Sequence, residues 1–148
     1  KPDFREKYEI NQDVIVVDGN NVCFDDSKNC PSTERLMAVK NKFRGKDVRI
    51  FVSGYMKDGG HGEWDDKKTL EKMISAGDIE VTPPQYEDDY WWLELVFEKK
   101  GLAITNDKLT DWIVKNPEKT GELYARKVPF MISKSDVMLG EPLGNLKR

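Results

Sequence analysis

Five aspartates stand where short apolar runs give way to polar residues. Asp18 closes the run VIVV inside VVDGNNV. Asp88 and Asp89 follow IEVT and the Pro83-Pro84 pair, and Asp107 follows LAIT within ITND, with Asp111 four residues on. Each has an ordinary structural explanation when taken singly. An aspartate after a strand is commonplace, and acids in a first helical turn meet the positive end of the dipole. Helical spacing, however, sets Asp88 with Trp92 and Val96, and Asp89 beside Val96 and Leu93, on the apolar stripe. Glu94 and Glu98 mark the solvent face. Carboxylates on a core-facing stripe are costly unless a cation meets them. If their segment is helical, Asp107 and Asp111 share one face a turn apart, where like charges repel until a cation binds. Hard oxygen ligands, with a single histidine in the chain, select Mg²⁺ or Mn²⁺ over zinc. Such an ion lowers the pKa of a bound water and steadies a leaving oxygen, and the matching chemistry is phosphodiester hydrolysis.

Parallel strands would bring these acids together. Five apolar, Val- and Ile-rich runs read as strands, at residues 14–17, 48–53, 79–82, 102–105 and 128–133. The continuously apolar VIVV fits a strand covered on both faces. Helical spacing lies between them. Leu36, Val39, Lys40 and Phe43 follow a Ser32-Thr33 cap, residues 67–76 carry Leu70, Met73 and Ile74 before Gly77, and residues 87–100 carry Leu93, Val96 and Phe97 before Gly101. A further helix is expected from a cap at Thr105 or Asn106 through Val114, ending near Pro117. Alternation of this kind implies crossover units and a three-layer α/β/α sandwich around a mostly parallel sheet. Sites in such folds lie at the carboxyl ends of the strands. Gly19 is read as permitting a sharp turn after Asp18, with Asn20 and Asn21 holding neighbours in place. The segment KDGGHG at residues 57–62 is the clearest loop.

The 148 residues fit one domain over residues 1–148, opening on Lys1 as a domain excised from a longer protein would. Hydrophobic residues at 38% and charged residues at 34% give a globular balance. No run is apolar for the ~20 residues a membrane helix needs, so no membrane partner is expected. Cys23 and Cys30 are read as reduced thiols in a cytosolic protein, which suggests the cytoplasm and leaves a nuclear or perinuclear location open. The net charge of −3 opposes tight nucleic-acid binding, although removing the five site aspartates from the count leaves +2.

VVDGNNV, YEDDYWWL and ITNDKLTD, in that order and spacing, resemble the NYN branch of the PIN-like nucleases. The run TPPQYEDDYWWLELVFEKKGLAITND is similar to the nuclease domain of protein-only RNase P. The closing PFMISKSDVMLGEPLGNLKR is more similar to the Regnase group of CCCH-zinc-finger ribonucleases. The resemblance implies a PIN-like fold and a metal-dependent endoribonuclease acting on single-stranded or loop RNA, in RNA decay or silencing. It implies Asp18, Asp88 and Asp107 as direct metal ligands, Asp89 and Asp111 acting through water or on the nucleophile, and Asn21 orienting Asp18 or a metal-bound water. Neither the RNase P zinc clamp and repeats nor the Regnase zinc finger has a counterpart here. A further RNA-binding domain or partner protein is therefore expected, a homodimer is left open, and a tRNA-processing role is the weaker alternative. The alternative from another class is a PIN-like domain that binds RNA or protein without cutting. A phosphatase acting on small phosphates would want a glycine-rich phosphate loop, which is absent.

For RNA contact, Arg35, Lys40, Lys42 and Arg44, with Lys46, could follow a phosphate backbone, or simply form a solvated face. Trp91 could stack on a base, whereas Trp92 reads as core. His61, in a glycine-rich loop, is a poor general base.

Overall fold

The computed structural model describes residues 7–83 and 90–141. Asp88 and Asp89 lie outside the described residues. Five strands form one parallel sheet: β1 (Val14–Asp18), β4 (Asp47–Ser53), β5 (Ile79–Thr82), β6 (Leu102–Ile104) and β7 (Lys127–Val128), in the order β5-β4-β1-β6-β7. The first half of the chain builds outward from β1 in one direction and the second half in the other. The strand order therefore reverses between β1 and β6.

Strand alternation divides the core in two. Ile15 and Val17, with Ile50, Val52, Ile79 and Ile104, pack beneath α1 (Gly19–Cys23), α2 (Thr33–Lys42), α3 (Gly54–Lys57) and α4 (Lys67–Ser75). Val14 and Val16, with Phe51 and Ala103, face α5 (Trp91–Lys99), α6 (Thr110–Lys115) and α7 (Thr120–Arg126). Helices thus cover both faces, as expected, and Trp92 is buried in the second cluster. Two short antiparallel pairs flank the sheet: β2 (Phe24–Asp25) with β3 (Cys30–Pro31), and β8 (Phe130–Ser133) with β9 (Asp136–Leu139). Among the described residues no helix is long and apolar enough to cross a membrane.

Several expectations need correction. The run 128–133 is two elements, because Pro129 has no N–H to continue the ladder and residues 130–133 leave the sheet for the β8–β9 hairpin. The helix expected from residue 105 or 106 starts only at Thr110, after Leu109 at φ 56°. The cause is local: the Asp107 carboxylate accepts from the Leu109 N–H at 2.9 Å, an Asx turn that competes with helix. Asp107 and Asp111 are therefore not a turn apart on one helix. Gly19 is also needed for a different reason. Its φ is not positive; a Cβ there would sit 2.3 Å from the Phe51 carbonyl oxygen. The glycine permits close approach to β4.

Candidate active site

Asp18 is the last residue of β1, so its backbone direction is set by parallel pairing with β4 on one side and β6 on the other. Only 7% of it is exposed. A buried carboxylate needs hydrogen-bond donors. Its Oδ2 accepts from the buried Thr105 hydroxyl at 2.8 Å, and its Oδ1 caps α1 by accepting from the Asn21 N–H at 3.4 Å. The same Thr105 oxygen accepts the Asp107 N–H at 3.1 Å. One hydroxyl thus links the end of β1 to the turn that carries Asp107, at the point where the strand order reverses. Crevices of this kind, outside the carboxyl ends of parallel strands, are where open α/β sheets bind ligands.

The two asparagines after Gly19 reach to opposite sides. Asn20 faces β4, where its Nδ2 donates to the Ser53 hydroxyl and its Oδ1 accepts from the Ser53 N–H, both at 3.0 Å. Asn21 faces β6, where its Oδ1 accepts from the Asn106 N–H at 2.7 Å. Asn106 in turn brackets Phe130, donating to its carbonyl and accepting from its N–H, each at 2.9 Å. The β1 end, the β6 end and the β8–β9 hairpin are therefore one hydrogen-bonded unit. Asn21 meets Asp18 through its backbone, while its side chain fixes the Asn106 loop.

Of the other expected site residues, Asp111 is exposed in the first turn of α6. Arg35, in the first turn of α2, donates from Nε to the Val22 carbonyl at 2.6 Å and stays at the carboxyl edge. Lys40, Lys42 and Arg44 are not there. A helix connecting two parallel strands runs back across the sheet, so the end of α2 lies at the amino edge. Lys40 pairs with Asp78, Lys46 with Asp13 and the Gln12 carbonyl, and Arg44 with Asn41. Trp91 is half-buried, its ring edge-on to Phe51 with centroids 5.5 Å apart. His61 packs edge-on against Tyr55 at 5.1 Å in its loop.

Two features escaped the sequence. The sequence marks Thr105 only as a helix cap, whereas its hydroxyl bridges Asp18 and the Asp107 N–H. Lys127, in β7, is buried with 4% exposed; burial pulls its pKa below the usual lysine value, and the Asp107 carboxylate pulls the other way. No sequence signal distinguishes Lys127 from a surface lysine at a strand edge.

Among the described residues no three acids, cysteines or histidines are placed to hold a metal ion. Asp18 and Asp107 supply hard oxygen donors suited to Mg²⁺ or Mn²⁺, and further carboxylates in this sequence would come from Asp88 and Asp89.

The fold agrees with what the chain is similar to. Two solved structures of the nuclear proteinaceous RNase P 2 of Arabidopsis thaliana superpose with a TM-score of 0.64 at 22% identity, covering 95% and 97% of this chain. They share its fold. The chain spans only 31% and 33% of those proteins. Local sequence identity reaches 38% over 47 residues with proteinaceous RNase P 2, covering 32% of this chain and 9% of that protein. It reaches 43% over 42 residues with the chloroplastic/mitochondrial proteinaceous RNase P 1 of the same plant, covering 28% and 7%. The model of the Zc3h12a-like ribonuclease NYN domain matches residues 11–148, nearly the whole chain. This chain therefore belongs to the Zc3h12a-like ribonuclease NYN domain family.

Proposed function

We propose that this domain is a Mg²⁺- or Mn²⁺-dependent endoribonuclease that cuts single-stranded or loop RNA, in RNA decay or silencing in the cytoplasm. The observation that carries the reading is the Thr105 hydroxyl holding Asp18 and the Asp107 turn together where the strand order reverses. Asp18 and Asp107, with Asp88 and Asp89, would hold the metal, and Asp111 would act through water. When bound, the ion supplies an activated water and charge stabilisation for the departing oxygen. The chain's own part is to present the Asp18 carboxyl group, fixed by Thr105 and the Asn21 N–H, and to position Asp107 by its Asx turn. The RNase P activity in its relatives' names stays with those proteins, since the aligned segments cover only 9% and 7% of them. A companion RNA-binding domain or partner protein would strengthen capture.

Asp18→Asn tests the reading. Asparagine can still accept from Thr105, so the fold should persist, while a full ligand charge is lost. Loss of ~3 kcal/mol of transition-state stabilisation already means on the order of a hundredfold in rate. Cleavage of single-stranded RNA with Mn²⁺ should fall at least that far. Equal rates for both proteins would mean that the cleavage does not depend on Asp18, and the reading of an RNA-binding domain whose Asp18 centre does not cut takes over.

A further inference from the structure

Lys127 belongs to the edge strand β7, yet only 4% of it is exposed. Its parallel partner in β6 is Ala103, whose side chain packs on the face covered by α5, α6 and α7. Alternation places Thr105 on that face, two residues after Ala103, and Asp18 two residues after Val16. The pairing runs to the strand ends, where the Thr105 N–H donates to the Val128 carbonyl at 3.2 Å. Lys127 therefore shares the face on which Asp18 and Thr105 meet. We propose that Lys127 acts through Asp107 as a built-in counter-ion, one that loosens the hold of the centre on a divalent ion. It positions charge and is not a ligand. The role rests on the metal-dependent reading above.

Three observations carry it. First, the lysine has a counter-charge. Burying an ammonium is costly unless an opposite charge meets it. Burial pulls the Lys127 pKa down, and the Asp107 carboxylate is the charge that pulls it back. The attraction acts through space, from the turn that follows β6 to the strand beside it.

Second, Asp107 does not depend on Lys127 for its place. Its N–H is held by the Thr105 hydroxyl at 3.1 Å, and its carboxylate accepts from the N–H of the buried Leu109 at 2.9 Å. The lysine therefore adds charge to the centre and leaves its geometry to other groups.

Third, the position has no need of a charge for packing. The same face is built from Val14, Val16, Phe51 and Ala103, and an apolar side chain of lysine's length would avoid the desolvation cost. What the ammonium adds is its field. It offsets part of the repulsion between Asp18 and Asp107 when no ion is bound. It also repels an arriving Mg²⁺ or Mn²⁺ and competes with it for Asp107.

Lys127→Met and Lys127→Gln remove the charge and keep most of the stem, and Lys127→Arg keeps the charge. Lys72→Met, exposed in the last turn of α4, removes the same net charge away from the centre. Calorimetric titration with Mn²⁺, without RNA and at fixed ionic strength, gives Kd, and melting in EDTA checks that each protein is folded. Both neutral variants should bind Mn²⁺ about three- to tenfold more tightly than wild type, with Lys127→Arg and Lys72→Met within about twofold of it. A lysine needed only for packing gives the opposite sign, because disturbing the surroundings of Asp107 weakens the site. Where Lys127→Met does not fold, Lys127→Gln decides. Neutral variants that bind no tighter than wild type overturn the role of Lys127 and leave the metal reading standing. Wild-type protein that takes up no Mn²⁺ overturns both.

Discussion

Thr105 joins the two halves of the candidate site through a single hydroxyl, donating to Asp18 and accepting from the Asp107 N–H. The aspartates themselves were legible in the sequence, because acids directly after apolar runs are conspicuous. Their partners were not. Which threonine faces which carboxylate depends on the pairing of β1 with β6, across 87 residues of chain. Cys23 shows the same blindness. Read as one of two ordinary thiols, it is buried on α1, and desolvation followed by the Asp18 charge pushes its pKa up to about 12 from 9.0. Both cysteines are free, and only Cys30 is partly exposed. The sign of the linkage is definite. Above pH 9 the unfolded thiol loses its proton while the folded one keeps it, so stability falls as pH rises toward 12. The slope is at most about 1.4 kcal/mol per pH unit. Denaturant titrations of wild type and Cys23→Ala across this range should show the steeper alkaline loss in wild type. Parallel curves would mean Cys23 ionises as freely as in the unfolded chain.

At the scale of elements, apolar runs announced the strands and the GNN triplet did not announce its geometry. Gly19 stands where β1 gives way to α1, pressed on the β4 backbone. Placing a Cβ 2.3 Å from the Phe51 oxygen and 2.7 Å from Val52 Cγ2 must separate β1 from β4. Gly19→Ala should therefore lose about 1–3 kcal/mol or more, as overpacking does. It should also spoil the Asn20–Ser53 bonds. Chemical denaturation reads the first effect, and a Gly19→Ala protein as stable as wild type would count against this packing. Elements of two to five residues, such as β2, β3 and α1, escaped the reading because they are too short to show a period. Helix α7 (Thr120–Arg126) gives no clear sequence signal because Pro117 is an ordinary helix stop and Gly121 interrupts the pattern. The placement of Lys40, Lys42 and Arg44 was, by contrast, deducible. Once residues 32–43 are taken as a crossover helix between parallel strands, its last turn has to lie at the amino edge. These basic residues therefore stand apart from Asp18 and Asp107 at the carboxyl edge.

For the whole molecule, the expected balance is between crowded negative charge and the cation that relieves it. The chain carries a net −3 with 27 acidic residues, and hydrogen bonds from Thr105 and the Asn21 N–H hold Asp18 in its candidate centre. An ion that binds the folded arrangement but not the unfolded chain stabilises by mass action. The gain is about 2.7 kcal/mol at a hundredfold excess over Kd. For a domain of this size each kcal/mol moves Tm by roughly 2–4 °C, so saturating Mn²⁺ should raise Tm by about 5–10 °C. Asp18→Asn should behave in two opposite ways in the same experiment. Without metal it should melt within a few degrees of wild type, since its one amide oxygen keeps only one of the two hydrogen bonds Asp18 accepts while a buried carboxyl charge is removed. With metal it should gain much less than wild type, since one ligand is gone. Ca²⁺ and Na⁺ at matched ionic strength separate site binding from general screening of the acidic surface. If Mn²⁺ raises both proteins equally, the stabilisation belongs to the surface charge and not to a site at Asp18. If only wild type responds, the metal and the carboxyl edge of the sheet are joined by a measurement that needs neither RNA nor turnover.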